Sequence, residues 1–378
     1  MNLLPLFVFW CLWYINFSSR AIFSPILPLI EDSLSLSHGK AGGLFTSFSI
    51  GGSLTLLAAG WFASSWGYKR TVVLGYLGIG LVFLAFQWAD SYFSYHILFF
   101  LLGIAGGTYL PTILPIITET YDYRHWGKAI GIHDSAASFS IFAIPILMAY
   151  GLQFLSWKRL ILILGIASLL LPIFFWKVSI EPKRELSQRK SSYLDLMKRK
   201  LIWIMIFLWI LASASSIGIY TILPLYLVKE RGFSFSFANT LFGISRAGGM
   251  VVPILTGFLV DRYGYRTILF FSLFTTGLST IALSLSESLT LILITLILQA
   301  TLSLVFFPVA FTTISKLTSI SERSMALGII LATGGILGLG VTPFILGLTA
   351  DYLNFQVGFR WLGVLTALAS FLVNFLRE

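Results

Sequence analysis

Twelve runs of about twenty predominantly apolar residues follow one another along this 378-residue chain, and they limit its fold more than any other feature. A helix of that length crosses the roughly 30 Å hydrocarbon core of a bilayer. Hydrophobic residues make up 57% of the chain and charged residues only 11%, too little charge to cover a soluble protein of this size. We therefore predict an all-α membrane protein with twelve transmembrane helices. The predicted spans are 3–30, 40–63, 70–88, 94–118, 127–150, 158–176, 200–227, 236–260, 267–285, 289–314, 324–349 and 359–376.

The lone cysteine, Cys11, excludes a disulfide framework or a cysteine metal site. The sequence shows no nucleophile elbow, no phosphate loop and no His, Cys and carboxylate set at metal-ligand spacing. We expect neither an enzyme nor a bound cofactor or metal, and an ATP-driven pump is disfavoured because no nucleotide domain fits in the chain.

The basic residues predict the orientation. The chain carries a net charge of +10, which in a membrane protein reflects Lys and Arg in cytoplasmic loops rather than nucleic-acid binding. If both ends are cytoplasmic, seventeen of the 25 Lys and Arg residues lie inside and six outside, with Arg20 and Arg246 within spans. This bias predicts cytoplasmic termini. The compact loops suggest a plasma (inner) membrane of a prokaryote.

The two halves of the chain repeat each other. Gly60, Gly67 and Tyr68 recur 197 residues later as Gly257, Gly264 and Tyr265. Pro111 and Gly131 recur at the same offset, as Pro308 and Gly328. We predict an N-terminal six-helix bundle over 1–176, a cytoplasmic linker over 177–199 and a C-terminal six-helix bundle over 200–378. Parallel repeats of this kind place the substrate site between the halves, near mid-membrane.

The corner between the eighth and ninth spans carries the most specific motif. It reads Gly257, Phe258, Leu259, Val260, Asp261, Arg262, Tyr263, Gly264, Tyr265 and Arg266. The motif resembles the loop signature of the major facilitator superfamily, and the resemblance extends over essentially the whole chain. It implies two pseudo-symmetric six-helix bundles that transport by alternating access.

The resemblance further implies that Asp261 and Arg262 form part of a cytoplasmic latch, with Gly257, Gly264 and Arg266 shaping the turn. The alternative is a charged turn that only fixes topology. In the first half, Ser64 and Ser65 replace the Asp-Arg pair. The glycine-rich stretch from Gly328 to Pro343 in the eleventh span indicates close helix packing or a bending point. The family's antiporter signature is not recognisable in the fifth span.

Two arginines lie within predicted spans, where a charged side chain is energetically unfavourable. Arg20 is past the middle of the first span and Arg246 about ten residues into the eighth. An arginine near the bilayer centre costs at least about 2.5–3.5 kcal/mol on insertion scales, so each is a candidate functional residue. Two guanidinium groups facing one cavity would suit a carboxylate or another oxyanion. The alternative is that carbonyls or a buried acid satisfy each arginine structurally.

Three further ionisable residues are candidates for proton coupling. His133 and Asp134 stand about two turns into the fifth span, where their repeat counterparts are Ile330 and Leu331. Either could carry a proton, although helical neighbours point about 100° apart, so we expect only one to face the cavity. Glu119 ends the fourth span and is interpreted as an interface or gate residue.

Softer candidates for the cavity lining are Asn16, Tyr14, Tyr109, Tyr220 and Gln299. We predict proton-coupled symport of a small organic or inorganic anion by a monomer surrounded by lipid. Export of a hydrophobic or cationic compound is the first alternative, and it predicts that Asp134 and Glu119 face the cavity. A non-transporting receptor on a transporter scaffold is the second.

Overall fold

The computed structural model describes residues 3–182 and 196–376, apart from the side chains at 250, 253, 254, 320, 321 and 324. This described part is helical and contains no strand. The transmembrane segments are α1 (Leu3–Leu34), α2 (His38–Trp66), α3 (Tyr68–Ala85), α4 (Tyr92–Thr120), α5 (Tyr123–Gly151), α6 (Trp157–Val178), α7 (Lys200–Glu230), α8 (Phe235–Ser245, Ala247–Met250 and Val252–Tyr263), α9 (Tyr265–Leu285), α10 (Leu289–Leu317), α11 (Met325–Tyr352) and α12 (Phe355–Phe375). All except α8 are long and apolar enough, as single helices, to cross a membrane. The predicted all-α membrane fold is confirmed.

The helices begin at local sequence signals. The side chains of Ser156, Ser288 and Asn354 accept hydrogen bonds from backbone N–H groups in the first turns of α6, α10 and α12. Gly67 and Gly264 precede α3 and α9 with φ of +89° and +78°, a region that glycine enters without steric cost. Because these two glycines are repeat counterparts, the same tight turn occurs in both halves.

The eighth span is interrupted at Arg246. An α-helix ends at Ser245, a 3₁₀ turn covers Ala247–Met250, and a second α-helix begins at Val252. Two adjacent glycines in this turn weaken helix propensity. A Cβ on Gly248 would lie 2.3 Å from the Oγ1 atom of Thr301, so glycine also allows α8 to approach α10 closely.

α7 and α11 each contain π-helical turns, at Ala214–Gly218 and Gly335–Val341 respectively. The two helices meet at these turns. A Cβ on Gly218 would lie 2.8 Å from the carbonyl oxygen of Gly338. The glycine-rich stretch therefore allows the close helix packing that the sequence suggested as one of two roles, and it contains an irregular helical turn.

The described chain divides into two compact units. Unit 1 contains 3–34, 47–182 and 234–243, and unit 2 contains 35–46, 196–233 and 244–376. The division at the linker remains a prediction. Within unit 2, the carboxylate of Asp351 at the end of α11 accepts hydrogen bonds from the backbone nitrogens of His38 and Gly39, at 2.8 and 2.9 Å, and so caps the start of α2.

Candidate functional site

In unit 2, Arg246 occupies the break in α8. Only 3% of its surface is exposed, and its Cζ atom lies 4.7 Å from the ring centroid of Tyr220 on α7. A guanidinium over an aromatic face is attracted by the negative face of the ring, and the attraction strengthens when water is excluded. The sequence singled out both residues separately, and the structure brings them together.

The π-helical turn of α7 lies next to this pair and involves Gln299. The Nε2 atom of Gln299 donates to the carbonyl oxygen of Ser215 at 2.6 Å, and the side chain is completely buried. A π turn leaves backbone carbonyls without their usual helical partners, so a buried amide donor stabilises it. The contacts of Gln299 are those of a helix-packing residue, and its part in substrate binding remains a prediction.

In unit 1, Arg20 stands at the end of a column of aromatic side chains on α1. Its Cζ atom lies 3.5 Å from the ring centroid of Phe17, whose ring packs edge-on against Trp13 at 5.3 Å. Residues 13, 17 and 20 follow the i, i+4, i+7 spacing of one helix face. Just beyond this column the α1 helix has a turn at Ile22, where the missing N–H of Pro25 removes a helical hydrogen bond.

Asp134 and His133 on α5 point in different directions, as their 100° separation predicts. Asp134 is exposed, and its Oδ1 atom accepts a hydrogen bond from Nε1 of Trp13 at 3.2 Å. A carboxylate within a span is costly to place against hydrocarbon, which makes Asp134 a candidate functional residue. Trp13 therefore joins the carboxylate of Asp134 to the aromatic column that ends at Arg20.

His133 is instead built into the packing of unit 1. Its exposed fraction is 1%, and its ring stacks against Trp13 at 5.7 Å. The Tyr109 hydroxyl lies 3.1 Å from both Nε2 of His133 and the carbonyl oxygen of Phe9. Since a carbonyl only accepts, the hydroxyl donates to Phe9 and accepts from an Nε2–H of His133. Both residues then have partners inside the helix bundle.

The remaining lining candidates in unit 1 also make internal contacts. The Nδ2 atom of Asn16 donates to the carbonyl oxygen of Gly106 at 3.2 Å and ties α1 to α4. Tyr14 is half-buried and stacks on Trp10 with ring centroids 5.6 Å apart. Glu119 is exposed near the end of α4. The roles predicted for these residues remain predictions.

The motif corner between α8 and α9 is exposed at Asp261, Arg262 and Arg266. Arg262 lies over the ring of Tyr263, the next residue, at 5.2 Å, and Arg266 lies over the ring of Tyr265, the preceding residue, at 5.7 Å. Gly264 forms the expected turn. A Cβ at Gly257 would meet no described atom within 4 Å, and the roles predicted for the motif residues remain predictions.

Two site residues were missed by sequence reasoning. Trp13 contacts both Asp134 and His133, and its i, i+4, i+7 spacing with Phe17 and Arg20 is a signal that could have found it. Glu181 follows α6, and its carboxylate accepts from the backbone nitrogens of Tyr68 and Lys69 at 2.7 and 3.0 Å. It caps the start of α3, next to the first-half counterpart of the motif in which Ser64 and Ser65 replace the Asp-Arg pair. No local sequence pattern predicts that contact.

The sequence profile of the Major Facilitator Superfamily matches residues 9–264 and 247–378. The chain therefore belongs to this family of multi-pass membrane transporters, and it is not an enzyme. Among solved structures, a bacterial homologue of the human lysosomal transporter Spinster superposes with a TM-score of 0.83 at 15% identity, over 98% of this chain and 96% of that one. A D-xylose-proton symporter gives 0.80 at 15% identity, over 97% and 96%. At this identity both show the fold alone.

Curated relatives include several transporters of organic anions. A probable sulfoacetate transporter of Cupriavidus necator is 27% identical over 68% of this chain, and the match spans 64% of that relative. The hexuronate transporter of Bacillus subtilis is 23% identical over 96% of this chain and 92% of its own length. A quinolone resistance transporter of Acinetobacter baumannii is 26% identical over 87% and 82%.

Proposed function

We propose that this transporter carries a small anion together with a proton across the membrane. The observation that carries the proposal is the pair of arginines within spans, Arg20 in α1 and Arg246 in α8, each held over an aromatic ring. Burying one arginine at mid-membrane costs at least about 2.5–3.5 kcal/mol, and a bound oxyanion would offset that cost.

A guanidinium suits oxyanion recognition because it presents five N–H donors in one plane. In each pair the guanidinium carbon lies over an aromatic ring, 3.5 Å from the centroid of Phe17 and 4.7 Å from that of Tyr220. Those in-plane donors match the two oxygens of a carboxylate, sulfonate or phosphate. Phe17 and Tyr220 act as supports that fix the orientation of Arg20 and Arg246 without neutralising their charge.

Asp134 is the proposed proton carrier. It is exposed within its span, and Trp13 donates one hydrogen bond to it. A protonated Asp134 would no longer repel a bound anion, so proton and anion would favour each other's binding. Linkage makes that preference reciprocal, which is what symport requires. His133 is the weaker candidate because its ring is buried and hydrogen-bonded to Tyr109.

The relatives support an anionic substrate. The sulfoacetate and hexuronate transporters, and a gallate transporter of Pseudomonas putida, all carry names of organic acids. Export of a hydrophobic compound is the second candidate, favoured by the quinolone resistance relative and by the exposed carboxylates of Asp134 and Glu119. The two candidates differ in whether the arginines touch the substrate.

We propose a monomer in a prokaryotic inner membrane, and we infer its cytoplasmic ends from the positive-inside bias. Asp261 and Arg262 remain the proposed cytoplasmic latch. Their exposed corner between α8 and α9 leaves both side chains accessible to a partner helix in another access state.

The test is substrate-driven proton entry into proteoliposomes, with sulfoacetate, a hexuronate, gallate and inorganic anions compared with cationic drugs. Arg20→Lys and Arg246→Lys keep the charge but lose the guanidinium fork. Each should raise the half-saturating anion concentration at least about tenfold, since hydrogen bonds to charged groups contribute about 1.5–3 kcal/mol. Arg360→Lys, an exposed arginine of α12, is the matched control and should leave transport unchanged.

Two outcomes would contradict the proposal. Proton entry driven only by cations or drugs would favour export instead. Anion transport that survives both arginine changes would assign Arg20 and Arg246 to structure.

A further inference from the structure

Unit 1 contains an apolar cavity of about 780 Å³ that neither arginine lines. α5 and α6 both pack along α1 but touch each other little, so a groove remains between them. Ile15 of α1 is buried at the back of this groove, while Leu147 of α5 and Ile163 of α6 are exposed at its opening. The groove therefore opens on the outer surface of the helices and not into a closed core.

The groove follows α6 for most of the helix. Its lining residues on α6 run from Leu160 to Phe174 at helical spacing. At 1.5 Å per residue this face is about 21 Å long, whereas one leaflet contributes about 15 Å of hydrocarbon. Because the lining is almost entirely aliphatic and aromatic and lies within spans, hydrocarbon fits it and ordered water does not. A groove of this length accepts an extended acyl chain.

A cation marks one end of the groove. Arg159 is exposed and precedes Ile163 by four residues, so the two side chains share one face of α6. Its neighbour Lys158 is used elsewhere, because its Nζ atom donates to the carbonyl oxygens of Gln87 and Ala89 at 3.3 and 3.0 Å. Arg159 is thus left at the rim, where a lipid phosphate would lie.

We propose that this groove binds one acyl chain of an anionic phospholipid, with Arg159 contacting the headgroup phosphate. Neither arginine of the proposed substrate site lines the groove, so the lipid site stands whether or not the transported compound is an anion. The bound lipid would lie in the leaflet nearest the loop that connects α5 and α6.

Native mass spectrometry of the detergent-purified full chain tests this site. The probes are phosphatidylglycerol and phosphatidylcholine with the same acyl chains. We expect the wild type to retain phosphatidylglycerol about fivefold better, as one interfacial arginine predicts. Arg159→Gln should remove that preference, and Ile163→Trp should lower retention of both lipids by filling the groove. Arg360→Gln and Ile294→Trp are matched controls, since Ile163 and Ile294 are 55% and 50% exposed.

The chain's single cysteine gives an independent readout, because Cys11 lines the groove. Phosphatidylglycerol should slow the reaction of Cys11 with N-ethylmaleimide in the wild type but not in Ile163→Trp. Unchanged lipid retention in both groove variants would overturn the proposal. So would displacement of phosphatidylglycerol by a lipophilic cation whose transport is lost in Ile163→Trp, because the groove would then be a substrate path.

Discussion

Replacing Gly338 by alanine tests the contact between α7 and α11 directly. A Cβ at this position would lie 2.5 Å from Cβ of Ser213 and 2.7 Å from the backbone oxygen of Ile210. Backbone atoms cannot move aside cheaply, so we take the upper end of the overpacking range, about 3 kcal/mol. Alanine regains about 1 kcal/mol of helix propensity over glycine. The net loss of folding free energy is then about 2 kcal/mol, which lowers the Tm of a chain of this length by about 2.5 °C.

The matched control is Gly131→Ala in α5. There a Cβ would meet no described atom within 4 Å, so only the propensity gain of about 1 kcal/mol remains and Tm should rise by about 1 °C. Thermal unfolding in one detergent, followed by intrinsic tryptophan fluorescence, compares the two variants with the wild type. If Gly338→Ala raises Tm as Gly131→Ala does, the close approach of α7 and α11 described above is wrong.

Three further predictions concern charged groups. Tyr220→Leu removes the ring under Arg246 and should weaken anion binding about two- to fivefold without abolishing transport, measured as the concentration dependence of uptake. Asp134→Asn should abolish anion-driven proton entry but leave the exchange of anion across the liposome membrane intact, whereas His133→Gln should keep both activities. If only His133→Gln loses proton entry, His133 and not Asp134 carries the proton. Glu322 precedes the α11 span, and hydrogen bonds from Ser319 and Arg199 lower the pKa of its carboxyl. The ionised Glu322 carboxylate stabilises the fold above the ordinary carboxyl pKa, and this stabilisation is lost as pH falls through the lowered pKa of the folded state. Glu322→Gln should therefore have a lower Tm than the wild type at neutral pH, and the difference in Tm should shrink in acid.

The transmembrane architecture was accessible from the sequence because each span is a local property. A run of about twenty apolar residues must be helical in lipid wherever it occurs, since no water satisfies its backbone. Several helices extend beyond the predicted spans, with α2 reaching from His38 to Trp66, because backbone hydrogen bonding continues past the hydrocarbon boundary. The turns at Gly67 and Gly264 were also predictable, since a repeat with a constant offset preserves local backbone conformation.

The ionisable residues within the membrane spans could also be identified from the sequence. Arg20, Arg246 and Asp134 stand out because an ionisable group within a span is rare whatever surrounds it. Which side chains are buried cannot be inferred in the same way, so the sequence did not show that His133 is buried and Asp134 exposed. Their difference depends on Tyr109 and Trp13, which lie 24 and 121 residues away along the chain.

Contacts between distant segments were decided only by the tertiary structure. The stacking of Arg246 on Tyr220, the cap that Glu181 forms on α3 and the groove between α5 and α6 all join residues from different helices. The close approach of α8 to α10 likewise depends on Gly248, where a Cβ would lie 2.3 Å from the Oγ1 atom of Thr301. Hydropathy determines that a helix spans the membrane, but side-chain packing determines which face each helix turns to its neighbours, and that packing forms only when all the helices are in place.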